Sequence, residues 1–256
     1  MRRRNRWGYA VCVLLLLGSL AQAQQPEPTY YTAVAEWAIE RAQWGEFISH
    51  FERNSRPVLE RMLADGTIVG WGAFEAVVHL EGESTHGIWW TSRTIAGIER
   101  TRAELIRLPR SPALLSARMH RDYFLNAALH KAKAGSGSGG YLYVSSYLVQ
   151  PGKGQQWRQL WDKYRQPVLD ELLASGVLVI YGIDTEYVHT ADPGLRFVVY
   201  VSANAEAEDK IAAAFAAAAG KRSAEENRAI TDAFGEVLQA GTHRDFFARL
   251  IAWAHK

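Results

Sequence analysis

The sequence contains the same segment twice. Residues 31–79 align with residues 141–189 at a constant offset of 110 and without a gap. A His-Arg-Asp segment that begins at His120 returns at His243, so the offset has grown to 123 by that point. A duplicated segment of this length predicts two copies of one supersecondary arrangement, which restricts the fold before any single residue is considered.

Each copy predicts the same order of elements. In the second copy, aromatic and β-branched residues over 141–149 predict a strand, and an apolar stripe over 155–174 predicts a helix. Two strands, a second helical region and a last strand with the His-Arg-Asp segment follow. Pro57 and Pro167 interrupt the helical patterns at equivalent points, so both first helices should kink or restart there. The predicted order is β-α-β-β-α-β, the ferredoxin-like arrangement.

A short segment rich in glycine and serine separates the two copies. Residues 135–140 read Gly-Ser-Gly-Ser-Gly-Gly, a composition typical of flexible linkers. The sequence therefore predicts one unit over 30–134, a flexible linker, and a second unit over 141–256. It does not decide between a monomer whose units pair with each other and a homodimer whose units pair between chains.

The first 23 residues have the pattern of a secretory signal peptide. Four arginines precede an apolar stretch over 10–20, and an Ala-x-Ala cleavage motif ends at Ala23. The apolar stretch is shorter than the ~20 residues that a membrane-spanning helix needs, which disfavours an uncleaved anchor. We therefore expect cleavage near Ala23 and an exported, periplasmic or extracellular protein without membrane contact.

Removal of the signal changes both the charge and the thiol content. The formal net charge of +2 loses four arginines and becomes −2, so no basic surface for nucleic acid is predicted. The single cysteine, Cys12, is also removed. A disulfide, a thiolate-bound metal and a cysteine nucleophile are therefore excluded for the mature protein.

The duplicated β-α-β-β-α-β order resembles the dimeric α+β barrel superfamily, which includes proteins similar to the antibiotic-biosynthesis monooxygenases. In that superfamily two ferredoxin-like units set their sheets face to face. The resemblance implies an α+β fold in which two tandem ferredoxin-like units form an internal pseudo-dimeric barrel. It also implies chemistries from cofactor-free oxygenases to haem proteins, so haem is the cofactor that it suggests. No motif of one member family accompanies it, and fold alone does not define function.

Three strand positions carry tryptophan in the first unit and tyrosine in the second. Because side chains alternate along a strand, these residues share one face of each sheet. We interpret this face as a pocket wall between the two sheets, where a small, flat and largely apolar ligand would bind. Packing within the core is the alternative. The residues are Trp37, Trp71 and Trp90, matched by Tyr147, Tyr181 and Tyr200.

Four histidines are candidates for catalysis. His79 and His189 end equivalent predicted strands, and His120 and His243 open the repeated His-Arg-Asp segment. A histidine at such a position can act as a base near neutral pH or bind haem iron. No recognised metal-binding spacing accompanies them, so we predict no metal site. The alternatives are exposed turn residues for the first pair and a structural role for the second.

The sequence leaves three functions open. The first is an exported protein that binds a small, largely apolar ligand between its two sheets. The second is a haem-dependent or cofactor-free oxygenase-like enzyme that uses one of the four histidines. The third is an assembly module in which the duplicated sheets only pair chains.

Overall fold

Eight antiparallel strands from both halves of the chain close into a barrel in the computed structural model, which describes residues 29–190 and 193–256. A ninth, short strand lies beside the barrel. In chain order the strands are β1 (Tyr30–Trp37), β2 (Gly70–Ala76), β3 (His86–Ser92), β4 (His120–Ala132), β5 (Gly135–Gly137), β6 (Tyr141–Leu148), β7 (Leu178–Glu186), β8 (Leu195–Ser202) and β9 (Arg244–His255).

Helices follow the first and third barrel strands of each half, as the sequence predicts. A 3₁₀ turn (Arg41–Gln43) precedes the first of them, and a π-helical segment (Phe51–Ser55) interrupts it. The α-helices are α1 (Trp44–His50), α2 (Arg56–Ala64), α3 (Ile95–Ile106), α4 (Pro112–Leu115), α5 (Gly154–Tyr164), α6 (Gln166–Ser175), α7 (Ala205–Gly220) and α8 (Ala224–Val237).

The barrel closes through strands that cross from one half to the other. Around the barrel the order is β2-β3-β1-β4-β7-β8-β6-β9, and β9 pairs back onto β2. The second part of β4 pairs with β7, and the second part of β9 pairs with β2, so each half completes the other. Because closure removes the free edges of both sheets, one chain forms the barrel without a second copy.

Both prolines lie where the sequence predicts a kink or a restart in the first helical region. Pro57 is in the first turn of α2, directly after the π-helical segment. Pro167 is in the first turn of α6, and Arg165 separates α6 from α5. A proline is tolerated in a first turn because the backbone N–H that it lacks has no helical partner there. In the first half the backbone stays helical from α1 through the π-helical segment into α2, so Pro57 lies within a continuous helical stretch. In the second half Arg165, with a φ of −112°, interrupts the helix before Pro167.

The linker is tied to the barrel in its first part, so the predicted flexibility is wrong for these residues. Gly135–Gly137 forms β5 and pairs with the end of β9. The indole of Trp253 lies against this segment, and a Cβ atom on Gly137 would come within 3.0 Å of its Nε1 atom. The glycines therefore allow a close approach of an aromatic ring rather than free motion.

The two faces of the barrel wall belong to separate apolar clusters. One cluster contains strand residues only, among them Phe74, Trp89 and Leu250, and fills the barrel interior. Two others join the opposite strand face to the helices of the first and second halves. Neighbouring residues such as Trp89 and Trp90 fall into different clusters because side chains alternate along the strand.

None of the helices in the described part of the chain combines the length and the apolarity needed to cross a bilayer. The predicted signal peptide, residues 1–23, lies outside the described residues.

Candidate functional site

The six aromatic residues predicted to wall a pocket between the sheets lie under the helices instead. Those of the first half pack in the cluster that contains α2 and α3, and those of the second half pack against α5 and α6. These residues do share one face of the strands, as predicted. The helices cover that face, whereas the opposite face forms the barrel interior. The residues are Trp37, Trp71, Trp90, Tyr147, Tyr181 and Tyr200.

Several of these rings have their polar atoms bonded to neighbouring elements. The indole Nε1 of Trp90 donates to the Ile98 carbonyl of α3, at 3.2 Å. The Tyr181 hydroxyl donates to Asp170 of α6, which also accepts from Lys131. Such bonds hold helices onto the sheet, which is the core-packing alternative that the sequence left open.

His79 and His189 follow the ends of β2 and β7 on exposed loops, and the structure does not bring them together. The ring of His79 lies 4.6 Å from that of Trp44, between centroids. His189 is flanked by residues that line a cleft but is absent from the described lining. Both histidines are therefore exposed loop residues, which is the alternative to a catalytic role.

The repeated His-Arg-Asp segment builds the same pair of side chains in both halves. It opens β4 and β9, so the histidine and the aspartate, two residues apart, share the outer strand face. His120 Nε2 lies 3.2 Å from Asp122 Oδ1, and His243 Nε2 lies 3.0 Å from Asp245 Oδ1. The His120 ring also stacks on Trp37, with centroids 5.1 Å apart and planes 3° apart. Each pair is about half exposed.

The aspartate of the first of these pairs lines a cleft. A cavity of about 150 Å³ lies between α3 and the outer face of β1 and β4. Its floor is apolar and its rim carries charged and polar groups. The floor is formed by Ala33, Trp90, Ile98 and Phe124, and the rim by Glu99, Arg102, Asp122, Val188 and Thr190.

The size and charge of the cleft restrict what it can bind. A cavity of about 150 Å³ is large enough for a molecule the size of benzene. Arg102 approaches Asp122 only to 3.6 Å and Glu99 only to 4.0 Å, so its guanidinium is loosely held at the rim. The cleft therefore suits a single ring with a polar group directed at Asp122 or Arg102.

The cleft does not fit haem. Its volume of about 150 Å³ is below the ~300 Å³ at which pockets for drug-sized ligands begin. In addition, no three side chains of the kinds that ligate metals converge within residues 29–190 and 193–256.

Sequence reasoning missed the residue that opens the cleft. Trp90 and His120 were both identified as candidates, and the structure brings them to the same outer face of the first half. The small side chain of Ala33 leaves the space above Trp90 open. An alanine within a strand does not by itself predict a cavity. The sequence feature that could have indicated the cavity is the exchange of Ala33 for Tyr143 at the aligned position of the second half.

A second unrecognised residue is Asp184, inside the barrel. Ile183 beside it packs towards the helices, so Asp184 faces the interior. Only 9% of it is exposed, and none of the described residues forms a hydrogen bond or an ion pair with its carboxyl group. Burial raises the pKa of Asp184 to about 7. In the first half Phe74 takes the aligned position, so the fold does not require an acid there.

No protein-family model and no curated protein sequence matches this chain. Solved structures do match. A proposed monooxygenase from Lactobacillus acidophilus NCFM has a TM-score of 0.63 and 12% identity, over 89% of this chain and 96% of that one. A proposed monooxygenase from Fusobacterium nucleatum has a TM-score of 0.59 and 8% identity, over 90% and 96%. An anthrone oxidase-like protein has a TM-score of 0.54 and 12% identity, over 90% and 94%.

These similarities agree with the closed barrel and its covering helices. The chain has the dimeric α+β barrel fold, with both halves of the barrel in one polypeptide. This confirms the barrel fold that the duplicated element order suggests. At identities of 8–12%, the matches establish the fold and leave the activity to the chemistry of the site.

Proposed function

We propose that the protein binds a small, flat and largely apolar molecule in the cleft of its first half and acts on it as a cofactor-free, oxygenase-like enzyme. The observation that carries the proposal is the position of the His120–Asp122 pair beside a ring-sized apolar cleft. The binding position differs from the predicted one, because the ligand lies between helix and sheet instead of between the two sheets.

The chemistry follows from the groups at the rim. Asp122 accepts a hydrogen bond from the ligand, and His120 beside it takes up the proton when the ligand ionises. The electron-rich anion adds dioxygen at a ring carbon, so a C–O bond forms and the O–O bond falls to the peroxide level. The proton held by His120 then passes to the outer oxygen, and the product is a ring hydroperoxide. Arg102 stabilises the negative charge that develops at the same rim. The fold is compatible with an oxygenase-like reaction, since the similar structures include proposed monooxygenases.

Replacement of His120 tests the enzymatic part. With catechol as the probe and an oxygen electrode as the detector, we expect His120→Ala to lower the rate of oxygen uptake by about 100-fold or more, because it removes the proton acceptor. His243→Ala removes the equivalent imidazole of the second half, which borders no comparable cleft in the described structure, and should leave the rate unchanged.

The outcome also separates the enzyme from a binding protein. Equal losses in both variants would show that the histidines act on stability rather than at the cleft. If catechol binds but the wild-type protein consumes no oxygen above the buffer rate, ligand binding stands and the oxygenase-like activity is wrong.

We also propose that each half is a ferredoxin-like unit. Support comes from the strand order within a half, where the second, third, first and fourth strands are neighbours and all pairs are antiparallel. Export after cleavage near Ala23 is a further proposal that rests on the sequence pattern. N-terminal sequencing of the protein from the envelope fraction of an expressing cell tests it, since an intact Met1 would contradict cleavage.

A further inference from the structure

The two halves build the same frame around the cleft and around its equivalent position. In the first half, the loop after β7 crosses β4, and the Tyr187 N–H donates to the Phe124 carbonyl at 2.8 Å. In the second half, the loop after β2 crosses β9, and the Val77 N–H donates to the Phe247 carbonyl at 2.9 Å. The His-Asp pairs match as well, so both frames carry the same backbone contacts and the same carboxylate.

The difference that decides the space is at the position of Ala33 in the first strand. Ala33 pairs with Trp90 across β1 and β3, and Tyr143 pairs with Tyr200 across β6 and β8. The Tyr143 ring stacks on Tyr200, with centroids 4.8 Å apart and planes 18° apart. A tyrosine side chain therefore stands in the second half where the alanine of the first half leaves space above an aromatic ring.

The hydroxyl of Tyr143 also uses the carboxylate of the repeated pair. It donates to Asp245 Oδ1 at 2.5 Å. Burial and the Asp245 carboxylate raise the pKa of Tyr143, so the hydroxyl stays protonated and donates. A hydrogen bond from a phenol to an ionised carboxylate is among the stronger ones in proteins. Tyr143 thus makes both contacts that the open cleft offers to a ligand.

We infer that the second half contains a latent copy of the cleft that Tyr143 fills as a built-in phenol, and that the open cleft of the first half takes a phenol in the same pose. The second statement rests on the proposed function. In that pose the ring lies over Trp90 and the hydroxyl donates to Asp122.

The surroundings explain why the two sites would differ in preference. Arg102 of the first half aligns with Ala212, and Ile98 aligns with Glu208, so the latent site lacks the cation and gains an acid. The Tyr200 hydroxyl lies 3.5 Å from Glu208. A phenolate is therefore better accommodated in the first half, whereas a neutral phenol suits both sites.

Four variants test the inference with 4-fluorophenol, whose ring matches a tyrosine side chain and whose fluorine signal reports each bound site. We expect one bound ¹⁹F resonance for the wild-type protein, none for Ala33→Tyr, two for Tyr143→Ala, and one for the double variant. Tyr143→Phe keeps the ring in place and should still show one. Fluorobenzene, which lacks the hydroxyl, should bind at least tenfold more weakly to each site.

Each result decides one of the two statements. If the wild-type protein shows one resonance and Tyr143→Ala and Tyr143→Val also show only one, with circular dichroism unchanged, the latent site is overturned. If the wild-type protein binds no 4-fluorophenol and Tyr143→Ala binds one molecule, the latent site stands and the proposed ligand cleft of the first half is wrong. Binding of fluorobenzene as tight as that of the phenol overturns the phenol class.

Discussion

Replacement of Asp184 by asparagine should stabilise the protein at pH 8 by about 2 kcal/mol. Burial inside the barrel raises the pKa of this carboxyl from its usual 3.8 to about 7. Since one pKa unit corresponds to ~1.4 kcal/mol, a shift of this size sets a ceiling of about 4 kcal/mol on the destabilisation by the ionised form. The buried amide of asparagine also lacks partners, which offsets about half of the gain.

The pH dependence gives the sign of the effect. Between pH 3.8 and 7 the folded state keeps the proton of Asp184 while the unfolded state releases it, so the wild-type protein loses stability as the pH rises through this range. Near pH 4 the carboxyl is neutral in the folded state and only the cost of the amide remains, so we expect the variant to be about 2 kcal/mol less stable than the wild type there and to become the more stable protein as the pH rises to about 7. Urea unfolding at pH 4, 6 and 8 measures this difference.

The comparison has a matched control. Asp232→Asn changes an exposed carboxylate on α8 and should shift the unfolding free energy by no more than about 0.5 kcal/mol at any pH. Other buried groups titrate in both proteins, among them Glu36, whose pKa burial also raises, and therefore cancel in the difference. A constant difference between pH 4 and pH 8 would contradict the assigned burial of the Asp184 carboxyl.

Gly72→Ala should destabilise the protein by about 3 kcal/mol. A Cβ atom at Gly72 would lie 2.0 Å from the Trp89 indole, which packs over this glycine inside the barrel. The indole also packs beside Phe74, with ring centroids 6.2 Å apart, which restricts its movement away from the added methyl group. Overpacking of a barrel interior costs on the order of 1–3 kcal/mol, and a contact this close belongs at the upper end.

Two further variants isolate the contact between Gly72 and Trp89. Gly45→Ala adds a methyl group to α1 where no atom lies within 4 Å, so it should be neutral or slightly stabilising. Trp89→Val introduces the residue that the second half has at the aligned position, Val199. In this background Gly72→Ala should cost at least 1 kcal/mol less, as measured by chemical unfolding of all four proteins in the double-mutant cycle. Additive costs would show that the indole is not the obstacle.

Much of the fold could be predicted from local patterns. The duplication, the strand and helix order, and the irregularities of the first helices near Pro57 and Pro167 depend on residues close together in the chain. Gly176 likewise ends α6 with a φ of 80°, a conformation that glycine adopts without strain. These features can be predicted from the sequence because the interactions that cause them involve residues only a few positions apart.

The candidate site could be predicted only in part. His120 and Trp90 were recognised as candidates, yet the space between α3 and the sheet depends on Ala33, a residue with no chemistry of its own. Asp184 was visible only as one carboxylate among several near His189. Its burial depends on strands β4 and β8, which are remote in sequence and pair on either side of β7.

The sequence by itself determined that the chain consists of two matched βαββαβ segments and which side chains share a strand face, because period and local propensity depend on neighbouring residues. Only the tertiary structure decided which of the two faces the helices cover. That choice follows from closure of the barrel through the β4–β7 and β9–β2 pairs, which places Trp89 and Asp184 inside. The same closure moves the six conspicuous aromatic residues under the helices, and leaves the difference between Ala33 and Tyr143 to decide where a ligand can enter.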